Sequence, residues 1–385
     1  MNIAFIHVVF SDGGAERISR DIAASLSAGG DYNFWVFANV IGPRAYTPEY
    51  SNFFKAIEPF PPGKAETAGI ERLVRKHGID VIVLISNHIR DMKGFRRRVP
   101  QCRVVYANHG EPFLFRYLLP MDKCSTPFKA FAWRLFRRRL YEDWGYALHR
   151  AKRICRSNYI NCDRYVVLCE EYRRIICEGI HLDREKNHIV VINNSEAPVE
   201  NVCLDKEKTV LFSGRLERFS KRVDRLLRIW KQVSPQARDW RLIIAGDGSD
   251  SEELREMTSQ MGLERAEFVG CQSDMSPLYR KASILCLTSQ TEGWGLCLTE
   301  AQANGVIPIA FSVSGGVREI LSPDGENGIL VTPFDEEEYA RRLLEIINAP
   351  EEERMRLRRN VLKKAASFSP EIMIGKWKAL FDSLF

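Results

Sequence analysis

Ile284-Leu285-Cys286-Leu287-Thr288-Ser289-Gln290-Thr291-Glu292-Gly293-Trp294-Gly295-Leu296-Cys297-Leu298-Thr299-Glu300-Ala301 joins a buried strand to a helix through a glycine-rich turn. The apolar run 284–287 predicts the strand, and Leu296 to Asn304 predicts the helix. The same alternation continues on both sides. Towards the C-terminus lie strands at Ile307–Ala310 and Gly328–Val331, then surface helices at Glu336–Ile347 and Glu351–Ala366. Upstream lie strands at Thr209–Ser213, Leu242–Gly246 and Glu267–Val269, separated by helices at Val223–Val233 and Glu252–Met261. A first set precedes these, with strands at Ile3–Val8, Asn33–Ala38, Val81–Ile85, Arg103–Ala107 and Tyr165–Leu168. Val81-Ile82-Val83-Leu84-Ile85 is continuously apolar, as strands of parallel sheets are. The order of β and α elements therefore predicts an α/β class with parallel sheets and right-handed crossovers.

The chain has 385 residues and is 45% hydrophobic. That length suits two domains better than one core. The polar stretch Asn194 to Lys206, with Pro198, is the linker candidate, with the seam near residue 200. The ordinary composition excludes disorder and a fibrous fold. No apolar run reaches the roughly 20 residues of a membrane span. Met1-Asn2-Ile3-Ala4-Phe5-Ile6-His7 reads as a first strand and not as a signal peptide. Ten cysteines without a CxxC point to neither zinc nor a disulfide framework, and a reducing cytosol is the simpler setting.

Three turns carry the candidate chemistry. Gly293 and Gly295 let the backbone approach a ligand, and the helix start at Leu296 offers free N–H groups suited to phosphate. Glu292 in the turn and Glu300 one turn into the helix can address different parts of one elongated polar ligand. A carboxylate suits a vicinal diol such as a ribose or hexose. Gly214-Arg215-Leu216-Glu217-Arg218-Phe219-Ser220-Lys221 follows the first strand of the second set. Arg215 offers a planar fork and Lys221 a point charge for a diphosphate. Gly13-Gly14 permits a tight turn beside an anion but is not a dinucleotide fingerprint. His109, after the strand ending at Ala107, can bond a hydroxyl or shuttle a proton. Each has a plainer alternative: a surface acid, a solvated basic loop, an ordinary turn, a structural histidine.

Taken together, the segments SGRLERFSKRVDRLL, LIIAGDGSDSEEL, FVG, LYRKASILCLTS, EGWGLCLTEA, ANGVIPIA, SGGVREIL and ENGILV resemble, in order and spacing, the C-terminal domain of retaining glycosyltransferases of family 4. The resemblance covers Val210 to Val331 closely and the N-terminal half less tightly. It implies a GT-B fold: two Rossmann-like domains with parallel sheets facing a central cleft. The implied domains are 1–200 for the acceptor, with 369–385 crossing back onto it, and 201–368 for the nucleotide sugar. It matches Arg215 and Lys221 to the diphosphate, Glu300 to the nucleotide ribose, and Glu292, with Gly293, Trp294, Gly295 and Leu296, to the donor sugar. Gly14 matches the loop near the phosphates and His109 the histidine near the transferred sugar. Trp294 stands where Phe is usual, and Ser283 replaces a common Asp. The implied activity is hexosyl transfer with retention from a nucleotide sugar, UDP-hexose on family frequency, to a glycan or lipid-linked glycan. With Arg215 and Lys221 in the role of a divalent cation, no metal is expected.

The formal charge of +6 is uneven. From His88 to Arg156 there are 17 Lys+Arg against 5 Asp+Glu, or +12, so the rest sums to −6. Within this block, basic and aromatic residues alternate from Phe128 to Arg156. They fit a peripheral contact with an anionic membrane, a groove for a lipid-linked or phosphorylated acceptor, or an ordinary helix with core aromatics. A nucleotide-sugar epimerase or hydrolase is the competing enzyme class. A nucleic-acid-binding protein would leave the carboxylate pair unexplained.

Overall fold

The structure, a computed structural model, describes residues 1–11, 13–86, 89, 91–113 and 144–385. The chain divides into two compact units, Met1–Ile192 with Lys376–Phe385, and Asn193–Gly375. Each is built on a parallel sheet, as the sequence pattern predicts.

The first unit contains β1 (Asn2–Phe10), β2 (Asn33–Ile41), β3 (Ala56–Pro59), β4 (Val81–Ile85), β5 (Arg103–Asn108), β6 (Arg164–Val167) and β7 (Ile189–Val191). Their spatial order is β3-β2-β1-β4-β5-β6-β7, with every pair parallel. All five residues of β4 are buried, because a central parallel strand is covered on both faces. The helices longer than four residues are α1 (Gly14–Ser27), α2 (Glu66–His77), α3 (Met92–Arg98), α4 (Trp144–Asn161) and α5 (Glu170–Ile180). In α1 the buried Ile18, Ile22 and Leu26 recur at helical spacing. Sequence pattern does not reveal β3, a four-residue edge strand without alternation. Nor does it reveal α3, which is mostly basic and begins where Asp91 accepts the Gly94 N–H at 3.1 Å.

The second unit contains β8 (Thr209–Ser213), β9 (Arg241–Ala245), β10 (Ala266–Gly270), β11 (Ile284–Leu287), β12 (Ile307–Phe311) and β13 (Ile329–Val331). Their order is β10-β9-β8-β11-β12-β13, again all parallel. Its helices are α6 (Val223–Val233), α7 (Ser251–Gln260), α8 (Ser276–Lys281), α9 (Leu296–Ala303), α10 (Gly315–Leu321), α11 (Glu336–Asn348) and α12 (Glu351–Ala365). A last helix, α13 (Pro370–Asp382), carries the chain into the segment that belongs to the first unit. The core gathers Phe212, Leu226, Leu227 and Trp230 with apolar residues of β9, β11 and β12. In both sheets the winding direction reverses, between β1 and β4 and between β8 and β11. Connections leave the sheet in opposite directions there, which opens a crevice at the strands' carboxyl ends.

The 194–206 stretch begins beside the boundary between the two units and is tied down: Asn194 and Ser195 are buried, and the Glu196 N–H donates to the Phe368 carbonyl at 2.9 Å. Lys206 Nζ donates to the carbonyls of Tyr279, Arg280 and Asn304 at 2.8–3.1 Å, which caps the ends of α8 and α9. On α12, Arg358 does not face solvent as a surface helix would place it, and it is only 1% exposed. It pairs with Glu351 and donates to Ser283 Oγ at 3.3 Å.

The basic block divides at the described boundary. In its described part Arg103 stands 3.7 Å from Asp163, Arg96 pairs with the same carboxylate, and Arg98 lies 2.6 Å from Glu71. These acids lie outside the block and neutralise it locally. Residues 128–143 of the aromatic–basic stretch lie outside the described residues. Among the described residues no helix is long and apolar enough to cross a membrane.

Candidate active site

In the second unit the predicted residues meet at the switch point. The loop after β8 carries Arg215 and Lys221, and the loop after β11 carries Glu292. The Gln290 N–H donates to the Ser220 carbonyl at 2.7 Å, so the two loops are joined through their backbones. Lys221 Nζ lies 2.5 Å from Glu292 Oε1, with side chains 19% and 10% exposed. Glu292 also accepts from Ser289 Oγ at 2.8 Å. Burial pulls the Lys221 ammonium down, but the Glu292 carboxylate beside it outweighs that, and the net direction is up. Lys221 therefore remains a cation, held in one place. Arg215 is different: it is 71% exposed and 3.1 Å from Glu217. One cation is held in place by a carboxylate, and the other is exposed with a solvent-open ion pair.

The Arg215 loop is braced from below. The Leu216 N–H donates to the Asp247 carbonyl at 3.0 Å, and the Asp250 N–H returns to the Leu216 carbonyl at 3.1 Å. This backbone contact needs glycine at 246, where φ is +137° and a Cβ would lie 1.9 Å from the Gly214 carbonyl oxygen. The sequence pattern shows Gly246 as the end of a strand and not as the brace of a loop.

Glu300 stands on α9, where Tyr279 Oη donates to its Oε2 at 2.7 Å. Burial raises Tyr279 well above the ordinary phenol range, so its hydroxyl stays a donor. Tyr279 was missed in the sequence because Glu300 lies 21 residues away; only α8 packing beside α9 joins them. Gly295 has φ +93° and turns the chain into α9. Trp294 is only 3% exposed and meets Phe368 edge-on at 5.2 Å. Its ring is packing, so the Gly293–Leu296 turn presents backbone to the site. Beneath this turn, a Cβ on Gly316 would lie 2.2 Å from the Gly293 carbonyl oxygen. Cys297 lies among these charges, and burial pushes its thiol up to about 12, so it is inert.

In the first unit, Gly13 caps the start of α1 after β1, and Gly14 is the first residue of that helix. The room that Gly13 leaves is taken by this chain's own Glu16, whose carboxylate would be 2.1 Å from a Cβ there. His109 follows β5 and its N–H donates to Ser86 Oγ at 2.9 Å. Its Nδ1 is buried without a hydrogen-bond partner. Burial holds His109 down to about 4. His7, buried in β1 with Nε2 3.1 Å from Ser19 Oγ, is held to about 3 by burial and then by the charge of His109. Both imidazoles are neutral at pH 7, so His109 offers a hydrogen bond and not a charge.

A pH dependence follows. Both folded values lie below the unfolded 6.5, so below that pH the unfolded state binds more protons than the folded state. Stability is lost below pH 6.5 and unaffected by these groups above it. The loss is roughly 2 kcal/mol per histidine between pH 6.5 and 5. Urea denaturation at both pH values will show it, and His109→Gln will make the slope shallower. An unchanged slope in that variant would rule out the buried neutral imidazole.

The whole chain superposes on solved structures of the two-unit GT-B architecture. It matches Anabaena HepE in complex with UDP and glucose with a TM-score of 0.73, at 18% identity and with 100% of both chains covered. In sequence, it is 33% identical over 193 residues to an uncharacterised glycosyltransferase of Haemophilus influenzae, covering 49% of this chain and about half, 53%, of that one. It is 30% identical over 249 residues to the amylovoran biosynthesis glycosyltransferase AmsD of Erwinia amylovora, covering 63% of this chain and 67% of AmsD. The model of the family described as glycosyl transferases group 1 matches residues 194–364, which span the Lys221–Glu292 pair and the Tyr279–Glu300 pair. With two thirds of AmsD covered and both carboxylate pairs inside the matched region, the chain belongs to the glycosyl transferases group 1 family.

Proposed function

We propose that this protein transfers a hexose from a nucleotide sugar, UDP-hexose by preference, to a glycan or lipid-linked glycan acceptor during cell-surface polysaccharide assembly. The observation that carries this reading is the Lys221–Glu292 pair at the β8/β11 switch point, with Arg215 beside it and Glu300 held by Tyr279. Support comes from HepE, whose structure holds UDP and glucose, and from AmsD, which is named for amylovoran biosynthesis.

The chemistry assigns each group a task. The bond between the anomeric carbon and the diphosphate oxygen breaks, and its electron pair stays on the phosphate. Lys221, Arg215 and the N–H groups at the start of α9 stabilise that charge, in place of a divalent metal. Glu300 accepts hydrogen bonds from the ribose diol, and Glu292 orients Lys221 beside the donor sugar. His109 bonds a sugar hydroxyl. The acceptor oxygen attacks from the side the diphosphate leaves, its proton passes to the departing phosphate oxygen, and configuration is retained.

The test is a thermal-shift panel of UDP, GDP, ADP and CMP. A ligand at a hundredfold its Kd stabilises the folded state by about 2.7 kcal/mol. UDP will give the largest shift, and EDTA will leave it unchanged. No shift with any nucleotide would defeat the reading. Tyr279→Phe keeps the ring and loses one hydrogen bond to Glu300. It will weaken UDP binding about fivefold, or about 1 kcal/mol, and raise the donor KM while kcat holds. Unchanged UDP affinity would remove Tyr279 from the site.

A further inference from the structure

The residue after Lys221 is strained. Arg222 has φ +51°, in the left-handed region that costs any residue with a Cβ. Its own side chain holds that conformation: Nε and Nη2 donate to the two carboxylate oxygens of Asp224, each at 2.9 Å. Asp224 is 2% exposed and also accepts from Arg228 Nη1 at 3.0 Å. Burial pushes its carboxyl up, but the two guanidiniums outweigh that and the net direction is down. Arg228 is fixed in turn by Glu336 at the start of α11, with Nε 2.8 Å and Nη2 2.5 Å from that carboxylate. The backbone beside Lys221 is therefore anchored through a chain of buried and half-buried charges.

A second grip reaches across to the loop after β11. Gln290 lies two residues before Glu292. Its Oε1 accepts from Arg225 Nη2 at 2.5 Å and stands 3.5 Å from Arg222 Nη1. Arg225 is 7% exposed, its guanidinium carbon lies 4.3 Å from the centre of the Phe334 ring, and its Nη1 is buried without a hydrogen-bond partner. Burial, and then the charge of Arg222, lowers Arg225 to about 10, so it is still a cation at neutral pH. A buried cation that already lacks one acceptor depends strongly on the acceptor it has.

The backbone repeats the connection. The Gln290 N–H donates to the Ser220 carbonyl at 2.7 Å, and the buried Thr288 hydroxyl donates to the Arg222 carbonyl at 3.1 Å. Lys221 is thus flanked on both sides by residues bonded to the loop that carries Glu292. The Lys221–Glu292 pair joins loops 71 residues apart in the chain, so its geometry is set by these cross-links.

We propose that Gln290 is a positioning residue: gripped by Arg225 and Arg222, it fixes the Glu292 loop against the Lys221 loop and so sets where the Lys221 ammonium stands. The proposal rests on the glycosyl-transfer reading above, in which Lys221 meets the diphosphate. A plain packing role would act on stability and be indifferent to Lys221. A positioning role acts through Lys221, and a misplacement of about 1 Å in a positioned group can cost roughly 10²-fold.

The test is calorimetric titration of the full chain with UDP, or with whichever of GDP, ADP and CMP the thermal-shift panel favours, alongside urea midpoints. Gln290→Met keeps the length of the side chain and loses the amide oxygen. It will weaken the nucleotide at least fivefold in the wild-type background and less than twofold in a Lys221→Met background. Gln290→Glu keeps an oxygen facing both guanidiniums and will hold affinity within twofold of wild type. If Gln290→Met does not fold, Arg225→Lys keeps the charge, loses the fork, and must show the same dependence on Lys221. Unchanged affinity in Gln290→Met, equal weakening in both backgrounds, or weakening by Gln290→Glu as large as by Gln290→Met leaves Gln290 a packing residue and overturns the proposal. A wild type that binds none of the four nucleotides overturns the transferase reading itself, and this proposal with it.

Discussion

Lys221→Met will lower kcat/KM for donor turnover by 10²–10³, with the fold retained. The magnitude is that of removing one preorganised donor from a developing anion, about 2.7–4 kcal/mol. Lys221 qualifies as preorganised because Glu292 and burial already hold it in place. The same substitution leaves the Glu292 carboxylate, 10% exposed, without its counter-charge. Breaking a fully buried pair costs about 3–5 kcal/mol. Here Ser289 still donates to the carboxylate and some solvent reaches it, so about 2 kcal/mol of stability is lost. The double variant Lys221→Met/Glu292→Gln separates the two effects: it will recover stability and not turnover. Stability comes from urea unfolding and turnover from UDP release in the presence of acceptor. A single variant that keeps more than a tenth of wild-type kcat/KM would remove Lys221 from the chemistry. Arg215→Met will cost less stability, because the side chain is exposed and its ion pair with Glu217 is open to solvent.

Gly246→Ala will destabilise the second unit by more than about 4 kcal/mol, a size reserved for named structural failures. The new Cβ would lie 1.9 Å from the Gly214 carbonyl oxygen and 2.9 Å from its carbon. Both are backbone atoms, so no side chain can rotate away, and the Arg215 loop must move as a whole. Gly262→Ala is the control. Gly262 also has positive φ, at +66°, but a Cβ there has nothing within 4 Å. It carries only the left-handed backbone cost, about 1–2 kcal/mol. Denaturant midpoints of the two variants decide the matter. Equal losses would mean that backbone conformation matters here and contact with the Arg215 loop does not.

Much of the site was legible because its residues are local to one turn or one loop. Glu292, the 293–296 turn and Glu300 lie within nine residues of one another, and Arg215 and Lys221 share one loop. The strand–loop–helix pattern places each loop at a strand's carboxyl end. What was not legible is contact between segments far apart in the chain. Lys221 to Glu292 spans 71 residues, Tyr279 to Glu300 spans 21, and Gly246 touches the backbone of Gly214. Trp294 illustrates the converse. Its place in the motif suggests a ligand wall, while its packing on Phe368 makes it part of the core.

The +12 block shows the limit for charge. Composition locates the excess between His88 and Arg156, but Asp163 and Glu71, from outside it, pair with Arg96, Arg103 and Arg98. Net charge adds along the chain, whereas ion pairing depends on distance in space.

By itself, the sequence determined two parallel α/β units and the turns that carry the candidate groups, because hydrophobic period and glycine placement are local properties of the chain. Only tertiary structure decided which groups meet: that Lys221 is held by Glu292 and that Tyr279 holds Glu300. Those outcomes depend on sheet order. The reversal between β8 and β11 brings two loops seventy residues apart to one edge, and no local pattern encodes that adjacency.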